Sequence, residues 1–338
     1  MRPRVCAEVQ RCGALAPRLQ AGYPTAMRII RDPYFIDPAA KGAVAAIGNF
    51  DGVHLGHRAV IELARSIANT TGAPLGVLTF EPHPRQFFRP DADPFRLMNA
   101  AARAHRLEKL EVEKLLELPF SAALSGLSAQ EFASQILADQ LGLRHVVVGE
   151  DFQFGKNRTG HAADLLQFGA DLGFGVTVAP MVSLPGGEVS STAIRSALTD
   201  GRPRDAAAML GHWHRIEGPV IRGDQRGRDL GYPTANMSIA GLHPPRFGVY
   251  AVKVDVLTGH LTGSYGGAAS LGVRPMFGQN QPNLETFVFD FNGDLYGQHL
   301  SVGFIDYLRP ELKFDGLPAL LQQMHEDCDR ARVILGAV

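Results

Sequence analysis

Between residues 43 and 210, apolar positions follow a pattern that predicts strands and helices in turn. Short apolar runs, each bounded by Gly, Pro or a charged residue, predict buried strands at 43–50, 75–80, 146–149 and 176–182. Longer stretches with apolar residues at helical spacing predict helices at 58–68, 101–116, 129–141 and 162–172. Strands that alternate with helices of this length are typical of a parallel sheet covered on both faces. We therefore predict a doubly wound α/β domain.

The pattern changes beyond residue 210. Gly and Pro become frequent, and apolar residues recur at every second position, as in Val252, Val254 and Val256. Further apolar segments at 287–291 and 300–308 lie next to turn-forming residues, which predicts a small antiparallel β-barrel. An amphipathic helix follows at about residues 317–335. The predicted domains are residues 27–210 and residues 211–338.

Composition and charge narrow the class of partner. The 338 residues include 33 Lys and Arg against 34 Asp and Glu, a formal net charge of -1, which argues against a general nucleic-acid or membrane-surface binder. The three cysteines, Cys6, Cys12 and Cys328, cannot form a disulfide framework and suit a reduced, cytoplasmic protein. Residues 1–26 precede a second methionine and lack the apolar stretch of a secretory signal. We expect them to be a disordered extension outside the fold.

A glycine-rich segment with two histidines follows the first predicted strand of the α/β domain. Residues 48–57 read GNFDGVHLGH and pass from that strand into a predicted helix. Ligands of open parallel sheets bind at this edge, where a helix N-terminus and closely approaching backbone suit a phosphate. His54 and His57 would stabilise charge on a transferred phosphoryl group. Two ordinary loop histidines are the alternative, and zinc is disfavoured because the sequence lacks HExxH and a third ligand cluster.

A second segment of the same domain, SSTAIR at residues 190–195, combines hydroxyls with a positive charge at a predicted helix start. Ser191, Thr192 and Arg195 could hold phosphate oxygens together. A helix cap beside a surface arginine is the structural alternative. The chain contains no GxGxxG motif and no complete P-loop, so its nucleotide chemistry would use neither.

The β domain contains a second candidate site. Residues 226–236 read RGRDLGYPTAN, in which a glycine-rich loop precedes Thr234 and Asn236. Their side-chain oxygens are hard ligands that suit Mg²⁺, which needs few protein ligands when ATP supplies others. Glu285, just before a predicted strand at 286–291, could accept the proton of an alcohol that attacks a γ-phosphate. A turn before a strand and a solvated strand-edge glutamate are the structural alternatives.

Together these segments resemble the bacterial bifunctional riboflavin kinase/FAD synthetases, over roughly residues 27–335. The resemblance includes LTFEPHP at 78–84, VGEDFQFG at 148–155, DFNGDLYG at 290–297 and LRPELKF at 308–314. It implies an HxGH-type nucleotidyltransferase domain that adds AMP to FMN, followed by a six-stranded barrel that phosphorylates riboflavin. It also implies Mg²⁺, ATP as co-substrate, and riboflavin, FMN and FAD as substrate and products. The sequence leaves the oligomeric state open.

The resemblance implies roles for individual residues. His54, His57 and Arg195 would be catalytic in the first domain, and Glu285 would be the base of the second. Thr234 and Asn236 would bind the metal. Nucleotide would contact Gly48, Phe50, Gly56, Ser191, Thr192, Gly227, Gly231 and Thr234. Flavin would contact Asp151 and Arg309.

The chain departs from the family pattern at several positions. In the β domain, Ser270 stands where Asn is usual, and Val273 and Met276 replace threonines. In the first domain, Arg103 replaces a usual Lys and Glu111 a usual Gly. Two alternatives therefore stay open: an FAD synthetase whose kinase domain is weak or inactive, and a non-catalytic flavin-binding or delivery protein.

Overall fold

The computed structural model describes residues 27–32, 41–185, 187–223, 230–276 and 279–338. Within them a parallel-sheet domain precedes an antiparallel barrel. The predicted extension at residues 1–26 lies outside the described residues.

The first domain alternates strands with helices. Its strands are β1 (Arg28–Ile30), β2 (Val44–Ile47), β3 (Leu75–Glu81), β4 (Lys114–Pro119), β5 (His145–Gly149), β6 (Gln153–Phe154), β7 (Gly160–His161), β8 (Gly175–Ala179), β9 (Ser183–Leu184) and β10 (Gly187–Glu188). Its helices are α1 (Leu55–Thr71), α2 (Pro84–Phe88), α3 (Ala100–Glu108), α4 (Ala122–Gly126), α5 (Ala129–Glu131), α6 (Ala162–Leu172), α7 (Ser191–Thr199) and α8 (Pro203–Leu210). A π-helix (Phe132–Gln140) continues α5, and a 3₁₀ turn spans Lys156–Arg158.

Six strands form one parallel sheet in the order β1-β4-β3-β2-β5-β8. Every residue of β2 is buried, because alternate side chains pack on opposite faces of the sheet. Ile61 of α1 and Leu107 of α3 pack on one face, whereas Leu137 of the π-helix and Leu165 of α6 pack on the other. The predicted doubly wound α/β class is confirmed.

The predicted helix at 101–116 is wrong in its second half. Helix α3 ends at Glu108, and Lys114–Pro119 forms strand β4. Glu111 lies between them with φ 53, a left-handed conformation that reverses the chain. Leu115, Leu116 and Leu118 are buried in the sheet, and a short apolar run of this kind fits a helix or a buried strand equally well.

The second domain is an antiparallel barrel of six strands. These are β11 (Arg215–Pro219), β12 (Thr234–Ser238), β13 (Gly248–Val256), β14 (Gly263–Met276), β15 (Gln279–Val288) and β16 (His299–Arg309), in the sheet order β11-β16-β13-β14-β15-β12. Tyr250, Leu271 and Phe304 are among the side chains that fill its interior. Helix α9 (Leu317–Gly336) packs on the outside through Cys328 and Ala331. The predicted barrel and terminal helix are confirmed.

The chain passes directly from one domain to the other. Helix α8 ends at Leu210, and β11 begins at Arg215. Across this junction Asn99 Nδ2 donates to the Glu217 carbonyl at 2.8 Å. The predicted domain boundary at residues 210/211 stays a prediction. None of the helices in the described ranges has the length and apolarity that crossing a membrane requires.

Candidate functional site

The histidine segment forms a tight loop between β2 and α1. Phe50 has φ 51 and Val53 has φ 44, so two side-chain-bearing residues adopt the left-handed conformation here. This is costly for a bulky residue, and it persists where the surrounding packing fixes the loop. Phe50 and Val53 are both buried in the core. The packing of Phe50 and Val53 therefore restricts the backbone of the loop to one conformation.

His54 and His57 are brought together by the first turn of α1. His54 is the N-cap residue, and its Nδ1 accepts a hydrogen bond from the backbone N–H of His57 at 3.3 Å. The two imidazole rings stack with centroids 3.7 Å apart. A Cβ at Gly56 would lie 3.1 Å from the His54 ring, so a glycine leaves the ring its space. The HxGH spacing therefore makes this stack possible.

Both histidines are held neutral. Burial lowers the pKa of His54 to about 4, and it also holds the pKa of His57 well below its ordinary value. Because His54 Nδ1 is an acceptor, its proton lies on Nε2, for which no hydrogen bond to a described residue is seen. Nδ1 of His57 is buried without a hydrogen-bond partner among the described residues. His54 Nε2 and His57 Nδ1 could therefore form hydrogen bonds with a ligand.

Helix α7 places the second predicted segment against this loop. Ser191 Oγ donates to the Asp51 carbonyl at 2.8 Å, and Arg195 Nη1 donates to Asp51 Oδ2 at 3.1 Å. Arg195 Nη2 donates to Thr192 Oγ1 at 3.2 Å. Ser190 caps the helix, so the capping alternative describes that residue correctly. The structure brings His54, Ser191 and Arg195 to one edge of the sheet.

Sequence reasoning missed three residues of this site. Asp51 is only 5% exposed and binds both Arg195 and the backbone N–H of Leu97, the latter at 2.8 Å. Phe95 lies under two guanidinium groups, that of Arg85 at 4.4 Å and that of Arg195 at 6.0 Å from its ring centroid. In the described part of the chain Arg85 has no acidic partner within ion-pair distance. A carboxylate inside the GNFD motif was the only available sequence signal.

The other predicted residues of this domain lie around the same loop. Gly48 follows β2 directly, and a Cβ there would meet the Phe50 ring at 3.4 Å. Phe50 stands with its ring 5.1 Å from that of His57. Asp151 is exposed in the turn after β5, the neighbour of β2 in the sheet. Gly48, Phe50 and Asp151 thus all lie near the carboxyl ends of adjacent strands.

The candidate site of the barrel lies on three adjacent strands. Asn236 on β12 pairs with Glu285 on β15, which pairs in turn with Ser270 on β14. Glu285 lies within β15 rather than before a strand, because that strand begins at Gln279. Thr234 pairs with Phe287, two residues further along the same face. The predicted metal ligands Thr234 and Asn236 and the predicted base Glu285 therefore lie on neighbouring strands, and Ser270 completes the row of Asn236, Glu285 and Ser270.

Asn236 is held in place by its neighbours. Its Oδ1 accepts a hydrogen bond from Asn283 Nδ2 at 2.8 Å, and both side chains are buried. Oδ1 of Asn283 has no hydrogen-bond partner among the described residues, so a buried oxygen remains available. A Cβ at Gly223 would lie 2.7 Å from the Asn236 amide. A surface cavity beside the row is lined by Thr234, Asn236, Phe291, Asp294 and Tyr296 among others.

Three further residues of the barrel were predicted to bind nucleotide or flavin: Gly227, Gly231 and Arg309. Gly231 has φ 81, a conformation that favours glycine, and it lies three residues before Thr234. Gly227 lies outside the described residues. Arg309 binds Asp327 of α9 through Nε at 2.9 Å and Nη2 at 2.7 Å, which joins the helix to the barrel. If Arg309 contacts flavin as predicted, it would do so while it is also bound to Asp327.

Comparison with known proteins matches both domains. The FAD synthetase family profile matches residues 36–193, and the riboflavin kinase family profile matches residues 210–335. A bifunctional riboflavin kinase/FMN adenylyltransferase from Pseudomonas fluorescens is 41% identical over 91% of this chain and 98% of its own length. This chain belongs to the bifunctional riboflavin kinase/FMN adenylyltransferase family. The Escherichia coli (strain K12) member is 35% identical over 92% of this chain and 98% of its own.

A solved structure supports the same architecture for this family member. It is described as a macrolide-efflux protein from Streptococcus pneumoniae, and it is 31% identical with a TM-score of 0.79. The match covers 91% of this chain and 99% of that one. The agreement therefore extends over the α/β domain and the barrel together.

The residues that depart from the family pattern lie in both domains. Arg103 is 1% exposed and donates to Glu81 at 2.9 Å and to Glu117 at 2.8 Å, so the positive charge of the usual Lys is kept inside an ion network. Glu111 occupies a left-handed position that suits the usual Gly. Ser270 stands in register with Glu285, and Val273 is 41% exposed on the same strand. None of these positions is among the residues predicted to bind phosphate.

Proposed function

We propose that this chain makes FAD from riboflavin in two steps, one in each domain. The barrel transfers the γ-phosphate of ATP to riboflavin, and the α/β domain then adds AMP to the resulting FMN. The observation that carries the proposal is the joining of Arg195 to the His54 loop through Asp51, at the edge of a parallel sheet where ligands bind. The family membership of both domains supports the two reactions.

In the α/β domain, an oxygen of the FMN phosphate attacks the α-phosphorus of ATP. A new P–O bond forms, the bond from the α-phosphorus to the bridging oxygen breaks, and pyrophosphate leaves. The Nε2–H of His54 is free to donate to the α-phosphate as charge accumulates. Ser191, Thr192 and Arg195 would bind the departing phosphates at the N-terminus of α7. No covalent nucleophile is needed, because positioning and charge neutralisation suffice.

Positive charge around Phe95 supports this assignment. Arg85 and Arg195 both lie over the same ring, and Asp51 is the acidic group that pairs with Arg195. Like charges this close repel each other unless an anion joins them. We therefore assign Arg85 to the binding of the triphosphate or pyrophosphate.

Aromatic rings at the carboxyl ends of β3 and β4 would receive the flavin of FMN. Phe87, Phe88 and Phe120 contact one another edge to face, with centroids 5.3 to 5.7 Å apart. Phe88 is 63% exposed, which is unusual for a large apolar side chain. Stacking on a planar ring would cover it. Asp151, exposed after β5, stays a proposed flavin contact.

In the barrel, the 5′-hydroxyl of riboflavin attacks the γ-phosphorus of ATP and ADP leaves. Glu285 would accept the hydroxyl proton. Thr234 and Asn236 offer uncharged oxygens, with that of Asn283 beside them, and such a set fits Mg²⁺ bound mainly through ATP phosphates. When bound, the ion would neutralise charge on the transferred phosphate. Gly231 would let the loop approach the nucleotide, and Arg309 is a proposed flavin contact.

Composition supports a proposal about where the reactions take place. Three cysteines and a near-zero net charge support a cytoplasmic enzyme that acts on small molecules, without nucleic-acid or membrane partners. Cys328 is a buried free thiol on the side of α9 that faces the barrel, and we assign it no role in either reaction.

The proposal is tested by a time course. Purified protein is incubated with riboflavin, ATP and Mg²⁺, and the three flavins are separated chromatographically. FMN that rises before FAD supports both activities and their order. Unchanged riboflavin together with conversion of added FMN would leave only the adenylyltransferase. If added FMN also stays unconverted, the protein is a flavin carrier.

A further inference from the structure

We propose that His243, a residue of the barrel, is a positioning residue for Arg195 in the adenylyltransferase site. The inference rests on the proposed role of Arg195 in binding the departing phosphates. It goes further, because it makes the kinase domain a structural part of the adenylyltransferase site.

His243 holds the segment that supports one side of the Arg195–Asp51 ion pair. Its backbone N–H donates to the Arg96 carbonyl at 2.8 Å, beside a parallel bridge between Arg96 and Leu242. The residues on either side of Arg96, Phe95 and Leu97, contact the Arg195–Asp51 ion pair. Phe95 accepts a hydrogen bond from Arg195 Nη1 through its carbonyl at 3.4 Å, and Leu97 donates to Asp51.

The side chain of His243 holds the other side of the same ion pair. Its Nε2 lies 3.1 Å from the Arg195 carbonyl and 3.0 Å from Thr199 Oγ1. Thr199 Oγ1 itself donates to the Arg195 carbonyl at 3.0 Å. Three residues further along, the backbone N–H of Arg246 donates to the Leu198 carbonyl at 2.9 Å. The barrel segment 242–246 therefore contacts α7 and the Phe95–Leu97 segment at once.

His243 thus contacts both of the elements that orient the Arg195 guanidinium. Helix α7 supplies the backbone of Arg195, and the Phe95–Leu97 segment receives the end of its side chain. A displacement of about 1 Å at a reacting group can cost on the order of 100-fold in rate. Loss of the His243 side chain should therefore reduce turnover more than substrate binding.

Three variants separate positioning from general attachment of the domains. His243→Phe keeps an aromatic ring but removes the Nε2 donor, and His243→Gln restores an N–H donor. Arg204→Ala is the matched control, because Arg204 joins the same domains through Asp306 at 2.9 Å, is half exposed and contacts neither Arg195 nor Asp51. Both activities are measured on each full-length preparation, with kcat and KM determined separately.

We expect His243→Phe to lower kcat for FAD formation by about tenfold or more, with riboflavin phosphorylation changed less than about twofold. His243→Gln should recover most of the lost rate, and Arg204→Ala should leave both activities within about twofold of the wild type. In an Arg195→Ala background, His243→Phe should have no further effect, since residues that act through each other are not additive.

Several results would overturn the inference. Undiminished FAD formation in His243→Phe, an equal loss of both activities, failure of His243→Gln to recover, or a fully additive double variant would each do so. Arg195→Ala measured alone tests the assumption beneath it. If that variant forms FAD normally, the proposed role of Arg195 fails; if it is inactive while His243→Phe is not, only the role of His243 fails.

Discussion

Asn236 and Glu285 are direct partners across strands β12 and β15. Residues paired in register project from the same face of a sheet, so the proposed metal ligand and the proposed base are neighbours. Asn283 fixes the Asn236 side chain from the next pair along the same face. The barrel therefore holds the Asn236 side chain in a fixed position, and phosphoryl transfer depends on such positioning.

Glu285→Gln should stop FMN formation while FMN-to-FAD conversion continues. The substitution keeps the size of the side chain but removes the carboxylate that accepts the proton, and we expect a loss of at least about 100-fold in riboflavin phosphorylation. The measurement is the rate of FMN appearance from riboflavin, with conversion of added FMN as the internal control. A variant that phosphorylates riboflavin at the wild-type rate would exclude Glu285 as the base.

His57→Ala should have the opposite effect. Removing one ring of the stacked pair also removes its contact to His54, so FAD formation should fall by about 100-fold or more while FMN accumulates. His145→Ala is a suitable control, because its half-buried ring contacts Thr177 on the neighbouring strand instead. Equal loss of both activities in His57→Ala would contradict two separate sites.

The alternation of strands and helices was predictable because apolar residues recur at a different spacing in strands and in helices. Strand β3 and helix α6 occupy nearly the predicted residues. Strand β4 was not predictable, because its apolar run suits either structure and the left-handed turn at Glu111 is formed by a residue that does not favour it. The π-helix at Phe132–Gln140 has the composition of an ordinary helix.

The candidate site was predictable in its motifs but not in its connections. His54 and Arg195 belong to segments whose residue types indicate phosphate chemistry, whereas Asp51 acts through contacts with Leu97 and with Arg195, which lies 144 residues further along the chain. Contacts of this kind depend on the tertiary fold, and no local sequence pattern predicts them. The contribution of His243 to the first domain was invisible for the same reason.

The buried histidine at the start of the barrel predicts a pH effect on stability. Burial lowers the pKa of His214 to about 3, against an ordinary value of 6.5. The unfolded chain therefore binds a proton that the folded chain does not, so stability is full above pH 6.5 and falls as the pH drops from 6.5 towards 3. Between pH 7 and pH 5 this single group should cost about 2 kcal/mol.

His214→Phe tests this effect, because it keeps a ring against Phe304 without a titrating nitrogen. The free energy of unfolding in urea is measured at pH 7 and pH 5 for both proteins. The loss between the two pH values should be smaller in the variant by about 2 kcal/mol. Equal losses in the two proteins would contradict a neutral, buried His214.

The ion pair between Arg309 and Asp327 predicts how α9 is attached. Asp327→Asn leaves a largely buried guanidinium without its counter-charge, and it should destabilise the protein by about 3 kcal/mol. Asp329→Asn is the matched control on the same helix, because Asp329 is 63% exposed and lies 3.6 Å from His325. Its effect should stay below about 0.5 kcal/mol in urea unfolding. Similar losses in both variants would contradict a structural role for the pair.

The short junction between the domains limits how such an enzyme can be recombined. Only the segment 211–214 separates α8 from β11, and within it the Nε2 of His212 lies 3.0 Å from the Gly52 carbonyl in the histidine loop. The two halves are therefore joined by direct contacts as well as by the chain. We therefore expect a hybrid that carries the barrel of a relative to keep full activity in its first half only if that barrel also supplies groups equivalent to His212 and His243.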